Sequence, residues 1–230
     1  MIAGNTQRVR ARIAQACALA GRPESAVLLL AVSKTAGPEA VREAQTTGQR
    51  AFGENYVQEA LDKMAALADL REQIEWHLIG PLQSNKTRAV AEAFDWVHSV
   101  DRLKIAQRLS EQRPPDLPAL QVCLQVNISG EASKSGLLPQ DVGPVAEVVA
   151  RLPRLRLRGL MAIPEPAGDL QAQRRPHRAL RELLASLRGA GLDLDTLSMG
   201  MTADLEAAVL EGATIVRVGT AIFGARARKA

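Results

Sequence analysis

A lysine and an arginine stand out in this sequence because one follows a run of apolar residues and the other interrupts one. Lys34 ends the segment Val-Leu-Leu-Leu-Ala-Val-Ser-Lys, and Arg217 lies within Ile-Val-Arg-Val at 215–218. A neutral lysine amine can form a Schiff base with an aldehyde, and burial favours the neutral form of an amine. Each residue also has an ordinary explanation. Lys34 could be a surface residue whose stem packs on apolar neighbours, and Arg217 could form a structural ion pair, for example with Glu54.

Two glycine–hydroxyl segments have the composition of phosphate-binding loops. The first is Ser-Met-Gly-Met-Thr at 198–202, which leads into a predicted helix, and the second is Gly-Thr at 219–220. Glycine allows close backbone approach, and hydroxyls and the free N–H groups of a helix start can donate to an anion. The same residue types are also common at helix starts, where Asp204 and Glu206 could satisfy the helix dipole without a ligand.

The lysine, the arginine and the two loops together suggest pyridoxal 5′-phosphate (PLP) as a cofactor. In this hypothesis Lys34 bonds to the aldehyde, the loops hold the 5′-phosphate, and Arg217 faces the pyridine nitrogen. Because an arginine does not readily give up its proton, it tends to keep that nitrogen unprotonated and weakens the ring as an electron sink. No metal site is predicted, since the three histidines lack metal-ligand spacing and neither cysteine lies beside one.

Eight short β-rich runs alternate with amphipathic helical windows and predict the elements that position these residues. The predicted strands are Val27–Val32, Arg50–Gly53, Ile74–Gly80, Trp96–Val100, Leu120–Ile128, Leu155–Ile163, Thr196–Gly200 and Ile215–Phe223. This alternation over 230 residues predicts an α/β fold, a single parallel (β/α)8 barrel of the TIM type. In such barrels chemistry lies at the C-terminal strand ends, and phosphate is often held after strands 7 and 8. Pleat alternation in the last strand points Arg217 into the barrel.

Both ends of the chain depart from the simple pattern. An additional N-terminal helix is predicted, with Val9, Ile13, Ala16, Cys17 and Ala20 on one face and Gly21 at its end. The chain stops soon after the eighth strand, so we expect no final helix there, and the N-terminal helix would cover that gap. The proline-rich segment at 113–118 is predicted to be a loop between a helix and a strand, and residues 1–230 are predicted to form one domain.

Composition narrows the classes of function. A net charge of +4 and an aromatic content of 3% argue against a nucleic-acid-binding surface built on base stacking. No segment approaches the ~20 apolar residues of a membrane span, so no membrane association is expected. Two widely separated cysteines, Cys17 and Cys123, favour a reducing cytoplasm.

Seven segments in colinear order resemble the pyridoxal phosphate homeostasis protein family over nearly the whole chain. They are AVSKT (31–35), FGENYVQEA (52–60), EWHLIGPLQSNK (75–86), NISGEASKSGL (127–137), GLMAIP (159–164), LSMGM (197–201) and VRVGTAIFGAR (216–226). The resemblance implies a fold-type III PLP barrel like the N-terminal domain of bacterial alanine racemase. It also implies that Lys34 carries PLP as a Schiff base and that Arg217 faces the pyridine ring. The phosphate motif of the family falls on Ser198, Gly200, Thr202, Gly219 and Thr220.

Further candidates lie at other strand ends. Asn55, after the second strand, is a candidate cofactor contact, and His77, Lys134 and Met161 are secondary ones. His77 is equally well explained by packing within a strand. Lys134 lies in a loop at 130–136 that we expect to be mobile, where it is either a surface charge or reaches the site.

Two positions depart from the family pattern. Ala36 stands where the family commonly has a second lysine. If that lysine receives or hands over PLP, PLP exchange differs in this protein, and Lys134 becomes a more important candidate. Thr202 stands where the family commonly has serine, a change that keeps the hydroxyl.

These observations favour a reversible PLP carrier or buffer with no catalytic residue. We also expect a monomer whose recipients are apo-PLP enzymes. The alternative is a PLP-dependent racemase or lyase that uses Lys34 as its sole base. A two-base racemase is hard to build here, because the sequence has one tyrosine, Tyr56, and no second domain is expected. A sugar-phosphate isomerase would need a paired carboxylate and histidine, which no motif supplies.

Overall fold

Eight parallel strands close into a barrel in which each strand pairs with its neighbours in sequence and the last pairs with the first. The computed structural model describes residues 1–131 and 134–224. The strands are β1 (Leu28–Val32), β2 (Ala51–Glu54), β3 (Glu75–Leu78), β4 (Trp96–Val100), β5 (Leu120–Gln125), β6 (Leu155–Met161), β7 (Thr196–Ser198) and β8 (Ile215–Val218). The predicted (β/α)8 barrel is confirmed.

Helices alternate with these strands and surround the barrel. They are α1 (Ile2–Leu19), α2 (Pro38–Gln45), α3 (Val57–Ala66), α4 (Thr87–Ala93), α5 (Leu103–Gln112), α6 (Pro139–Val149), α7 (Leu170–Gly189), α8 (Leu205–Leu210) and α9 (Thr220–Phe223), with short 3₁₀ turns at Glu24–Ala26, Ala68–Gln73 and Ser84–Lys86. Within the described ranges, no helix is both long enough and apolar enough to cross a membrane.

The barrel has two separate apolar regions because successive strand residues point to opposite faces. The larger region lies between the strands and the helices. The smaller one fills the lumen and consists of Leu30, Val32, Ala51, Ile79, Trp96, Cys123, Met161 and Ile215. In β8, Val216 and Val218 belong to the outer region and Ile215 to the lumen. Arg217 therefore points into the barrel, as pleat alternation predicts.

The N-terminal helix covers the outside of the barrel beside its last units. Its buried face includes Val9, Ile13, Ala16 and Cys17, as expected, and it packs against α2, α8 and α9. Ala20 is the C-terminal cap, and Gly21 follows with φ +64°, a conformation that glycine adopts at little cost.

The third, sixth and seventh strands each end two residues earlier than predicted, and the fifth and eighth end earlier still. The eighth strand does not reach Phe223, and a helix does follow it: the chain leaves the sheet at Gly219, whose carbonyl accepts hydrogen bonds of 2.9 Å from the amides of Ile222 and Phe223. The fifth strand ends at Gln125 rather than at residue 128. The amide of Asn127 instead donates to the carbonyl of Leu137 at 2.9 Å, in the loop that follows.

Candidate functional site

Lys34 lies at the C-terminal mouth of the barrel, in a turn directly after β1, and is half-buried. No hydrogen bond joins its amine to any other described residue. The turn itself is fixed, because Thr35 adopts φ +68°, a conformation uncommon outside glycine, and its amide donates to Glu59 Oε1 at 2.8 Å. The hydrogen bond of Thr35 therefore fixes the backbone directly after Lys34.

A buried ion pair supports this turn from below. Lys63 Nζ, on α3, donates to the Ser33 carbonyl at 2.8 Å and to Glu54 Oε1 at 2.6 Å. The Ser33 hydroxyl donates to the same carboxylate oxygen at 2.5 Å. Burial raises the pKa of Glu54, and the neighbouring ammonium of Lys63 counteracts that shift. Glu54 is therefore the partner of Lys63, and the suggested ion pair between Glu54 and Arg217 is not formed.

Arg217 reaches the same mouth from the lumen side of β8. Its Nη1 donates to Ser198 Oγ and its Nη2 to the Ala162 carbonyl, each at 2.8 Å. The residue is 4% exposed, and burial lowers its pKa to about 10, so the guanidinium stays charged at neutral pH. Among the described residues no carboxylate lies within salt-bridge distance of it. Because a guanidinium has five N–H donors, Arg217 retains donors for a ligand.

Two histidines continue the polar contacts of Arg217 into the lumen. Ser198 Oγ lies 2.7 Å from His98 Nδ1, and His98 Nε2 lies 2.9 Å from His77 Nδ1. His77 Nε2 lies 2.8 Å from Glu75 Oε1, and the ring of His77 stacks on Trp96 with centroids 5.3 Å apart. Both ring nitrogens of His77 are thus engaged by protein atoms. This arrangement matches its interpretation as a packed strand residue.

The loop after β7 is shaped by one glycine and one aspartate. Gly200 has φ +91°, and a Cβ there would lie 2.5 Å from the Cβ of Ala208, so a side chain cannot be accommodated without movement. Asp204 Oδ1 accepts from the Met201 amide at 2.7 Å, while its other oxygen lies 2.9 Å from His177 Nε2. Hydrogen bonds from His177 and Met201 lower the pKa of Asp204 although burial opposes the shift.

The loops after β7 and β8 lie side by side, because their strands are paired. Gly219 approaches the carbonyl of Val32 so closely that a Cβ would lie 3.0 Å from that oxygen. In the described part of the chain, several backbone amides here have no acceptor, among them those of Thr202 and Ala203 after β7 and those of Thr220 and Ala221 at the start of α9. The two loops therefore offer a group of N–H donors next to the positions of Lys34 and Arg217.

The remaining candidates occupy different surroundings. Asn55 is half-buried after β2, and its Oδ1 is buried with no hydrogen-bond partner among the described residues. Met161 is fully buried in the lumen at the end of β6. Lys134 Nζ lies 3.0 Å from Glu131 Oε1 and 3.9 Å from Glu165 Oε1, so it forms ion pairs near the mouth. No group of His, Cys, Asp or Glu side chains in the described ranges could hold a metal ion.

Sequence reasoning missed the roles of Lys63, His98 and Glu75. Lys63 had a signal, since it is a lysine on the α3 face that carries buried Ala60, and Glu59 lies four residues before it. His98 lies at the centre of Trp-Val-His-Ser-Val, on the same pleat face as Trp96. Nothing in the sequence shows which lumen residues of non-adjacent strands meet.

The fold and the site define a class of barrel. Residues 4–227 match the family model described as the alanine racemase N-terminal domain. Alanine racemase from Corynebacterium glutamicum has the same fold, with a TM-score of 0.69 at 20% identity, and the match covers 99% of this chain and 62% of that one.

Curated relatives identify the family within that class. The pyridoxal phosphate homeostasis protein of Pseudomonas aeruginosa is 64% identical over 225 residues, which cover 98% of this chain and 96% of that protein. The protein of the same name from Escherichia coli K12 is 52% identical over 226 residues, with coverages of 98% and 97%. This chain belongs to the pyridoxal phosphate homeostasis protein family. The solved structure of PipY from Synechococcus elongatus PCC7942 with PLP bound superposes with a TM-score of 0.85 at 38% identity, covering 97% of this chain and all of that one.

Proposed function

We propose that this chain binds PLP reversibly at the C-terminal mouth of the barrel and acts as a carrier or buffer in cellular PLP homeostasis. One observation carries the proposal: the amine of Lys34, the buried guanidinium of Arg217 and two loops meet at one mouth, and the amine and several loop amides have no partner among the described residues. The relatives that bear the homeostasis name and the PLP-bound PipY structure support the same cofactor.

The chemistry of the residues fits the cofactor. When bound, PLP supplies an aldehyde that links covalently to an amine. Lys34 offers that amine on a turn held by the contacts of Thr35 with Glu59 and of Ser33 with Lys63. Two buried acceptor atoms near this turn, Glu54 Oε2 and Asn55 Oδ1, have no partner among the described residues and can accept from donors of a bound molecule.

The phosphate would be held by backbone amides and hydroxyls of Gly200, Thr202, Gly219 and Thr220. The steric contacts of Gly200 and Gly219 support this assignment, because a side chain at either position would displace the loops. Ser198 also belongs to the proposed cofactor site, but its hydroxyl lies between Arg217 and His98. We therefore assign Ser198 to holding Arg217, and the phosphate contacts to the other four residues.

Arg217 favours storage over catalysis in this proposal. With a pKa of about 10 it keeps its own proton at neutral pH and can only donate to the pyridine nitrogen that it would face. A ring nitrogen that accepts without being protonated withdraws electrons weakly. No described feature favours the racemase or lyase alternative with Lys34 as the sole base.

Further parts of the proposal concern the cellular setting. We propose one barrel domain over residues 1–230, a monomer that hands PLP to apo-PLP enzymes in the cytoplasm. Cys17 and Cys123 are both buried and free, which fits a reducing compartment. His77, Lys134 and Met161 remain secondary candidates. Of these, Lys134 would reach a ligand only by leaving its ion pairs with Glu131 and Glu165.

The proposal is tested by titrating purified protein with PLP and following the absorption spectrum, then adding an apo-PLP enzyme. We expect saturable binding, transfer of activity to the apo-enzyme, and no turnover of L-amino acids above that of free PLP. Lys34→Ala should abolish the spectral change, whereas replacement of Lys104, an exposed lysine at the start of α5 that makes no hydrogen bond to the described residues, should leave it unchanged. Amino-acid turnover that depends on Lys34 would instead support the racemase or lyase alternative.

A further inference from the structure

A chain of hydrogen bonds crosses the barrel lumen from the C-terminal mouth to the N-terminal mouth. It starts at Arg217, passes through Ser198, His98 and His77, and ends at the carboxylate of Glu75. The four successive separations are 2.8, 2.7, 2.9 and 2.8 Å. The neighbouring lumen side chains are apolar, so the buried hydroxyl of Ser198 and the buried rings of His98 and His77 depend on one another and on the two end residues for hydrogen bonds.

With both imidazoles neutral, the two ends of this series of hydrogen bonds determine its direction. A guanidinium can only donate hydrogen bonds and a carboxylate can only accept them. Glu75 therefore accepts from His77 Nε2–H, which leaves Nδ1 of a neutral His77 as an acceptor. His98 then donates from its Nε2, and its Nδ1 accepts the hydroxyl hydrogen of Ser198. All four hydrogen bonds run from Arg217 toward Glu75.

The surroundings favour a neutral His98 and fix the orientation of both rings. His98 is fully buried, and burial is the main cause that lowers its pKa well below the ordinary value. The ring of His77 lies almost parallel to Trp96, with an interplanar angle of 10°. Neither ring can therefore satisfy its nitrogens by turning toward solvent.

We infer that Glu75 is a positioning residue for Arg217, acting from the opposite mouth of the barrel. Its carboxylate fixes the protons of both imidazoles, so that Ser198 presents a lone pair to the guanidinium and not its hydrogen. The Ala162 carbonyl, at 2.8 Å from Nη2, holds the other branch of the guanidinium. The inference rests on the proposed function in one respect, because the position of Arg217 matters for PLP binding only if Arg217 contacts PLP.

Glu75 can be replaced without opening the core. Its side chain is 47% exposed and lines a cleft at the N-terminal mouth. Glu72 is an exposed glutamate that lines the same cleft, and its carboxylate makes no hydrogen bond to the described residues. Glu72→Ala is therefore a matched control, because it removes the same charge from the same mouth without touching the chain.

The test is ¹⁵N nuclear magnetic resonance of the histidine side chains in protein free of PLP. The sequence has three histidines, so substitution of each in turn assigns the signals. In the wild type we expect both His77 and His98 to carry hydrogen on Nε2. Glu75→Ala should give a mixture of tautomers at one or both rings, and Glu72→Ala should not. Ser198→Ala should leave the tautomers unchanged, because they are fixed from the Glu75 end.

A PLP titration of the same variants supplies the second measurement. Glu75→Ala should weaken PLP affinity about threefold to tenfold, as expected for one weakened hydrogen bond, while Glu72→Ala should leave it unchanged. Hydrogen on Nδ1 of His77 or His98 in the wild type would overturn the inference. Unchanged tautomers in Glu75→Ala would do the same. If the tautomers are as expected but the wild type binds no PLP, the proposed function fails and Glu75 still fixes the tautomers.

Discussion

The two mouths of the barrel differ in how completely their polar groups are satisfied. The N-terminal mouth has a cleft of about 610 Å³ lined by four arginines, Arg50, Arg71, Arg113 and Arg158. Yet Arg71 pairs with Asp95 at 2.7 Å, Arg158 pairs with Asp195 at 2.6 Å, and Arg113 donates to three backbone carbonyls. The size of this cleft therefore does not mark it as the functional site.

The C-terminal mouth has the opposite character. It holds the amine of Lys34, buried acceptors on Glu54 and Asn55, and several loop amides, all without partners among the described residues. It also holds two constrained backbone positions, Thr35 with φ +68° and Gly200 with φ +91°. Unsatisfied groups on a constrained backbone are what a ligand site requires. In this barrel they distinguish the proposed binding mouth from the N-terminal mouth, where arginines are paired with carboxylates.

The largest contrast between the mouths should come from their ion pairs. Lys63→Met leaves Glu54 buried without its partner and should lower the free energy of unfolding by about 3–5 kcal/mol. Arg71→Met removes a partly exposed pair at the other mouth and should cost at most about 1 kcal/mol. Urea unfolding of both variants measures the difference, and equal losses would refute the contrast between the mouths.

A smaller contrast should separate two glycines with positive φ. Gly200→Ala adds both backbone strain and a collision with Ala208, so we expect a loss of about 2–4 kcal/mol and weakened PLP binding. Gly191→Ala adds strain alone, because nothing lies within 4 Å of its Cβ position, and should cost about 1 kcal/mol. Thermal unfolding with and without PLP compares them. Unaltered PLP affinity in Gly200→Ala would argue against the phosphate assignment.

The smallest effect should appear at the N-terminal mouth as a dependence on pH. Burial would raise the pKa of Asp195, but hydrogen bonds from Arg158 and Thr196 outweigh it and lower that pKa. A carboxyl whose pKa is lowered by folding stabilises the protein above its unfolded pKa and loses that contribution as pH falls through the folded value. Asp195→Asn should therefore cost up to about 1 kcal/mol at pH 7 and almost nothing at acidic pH. A cost that does not change with pH would mean that the charge of Asp195 is not its cause.

The order of the strands and the faces to which their side chains point were predictable from the sequence, because side chains alternate regularly within a strand. Trp96–Val100 matches β4 at both ends, and the inward direction of Arg217 follows from the valines on either side of it. Strand ends were less predictable, because hydrogen bonds from the following loops decide them. At Gly219 the carbonyl turns to cap α9, and at Asn127 the backbone pairs with Leu137 instead of β6.

The site was predictable where it depends on a single strand or loop and not where it depends on the barrel. Lys34 is recognisable because it follows an apolar run, and Gly200 because it lies in a short segment of glycine and hydroxyl residues that is typical of a turn. The contacts of Glu54 with Lys63, and of His98 with Ser198, join residues 9 and 100 positions apart. Which lumen residues meet is set by the stagger of the closed sheet, and residue patterning along one strand contains no information about that stagger.

Covalent trapping tests the central claim most directly. Protein mixed with PLP is reduced with borohydride, digested and mapped by mass spectrometry, beside Lys34→Ala and Lys134→Ala. We expect one adduct, on the peptide that contains Lys34, retained in Lys134→Ala and absent from Lys34→Ala. An adduct on another lysine of the wild type, or none at all, would contradict the account.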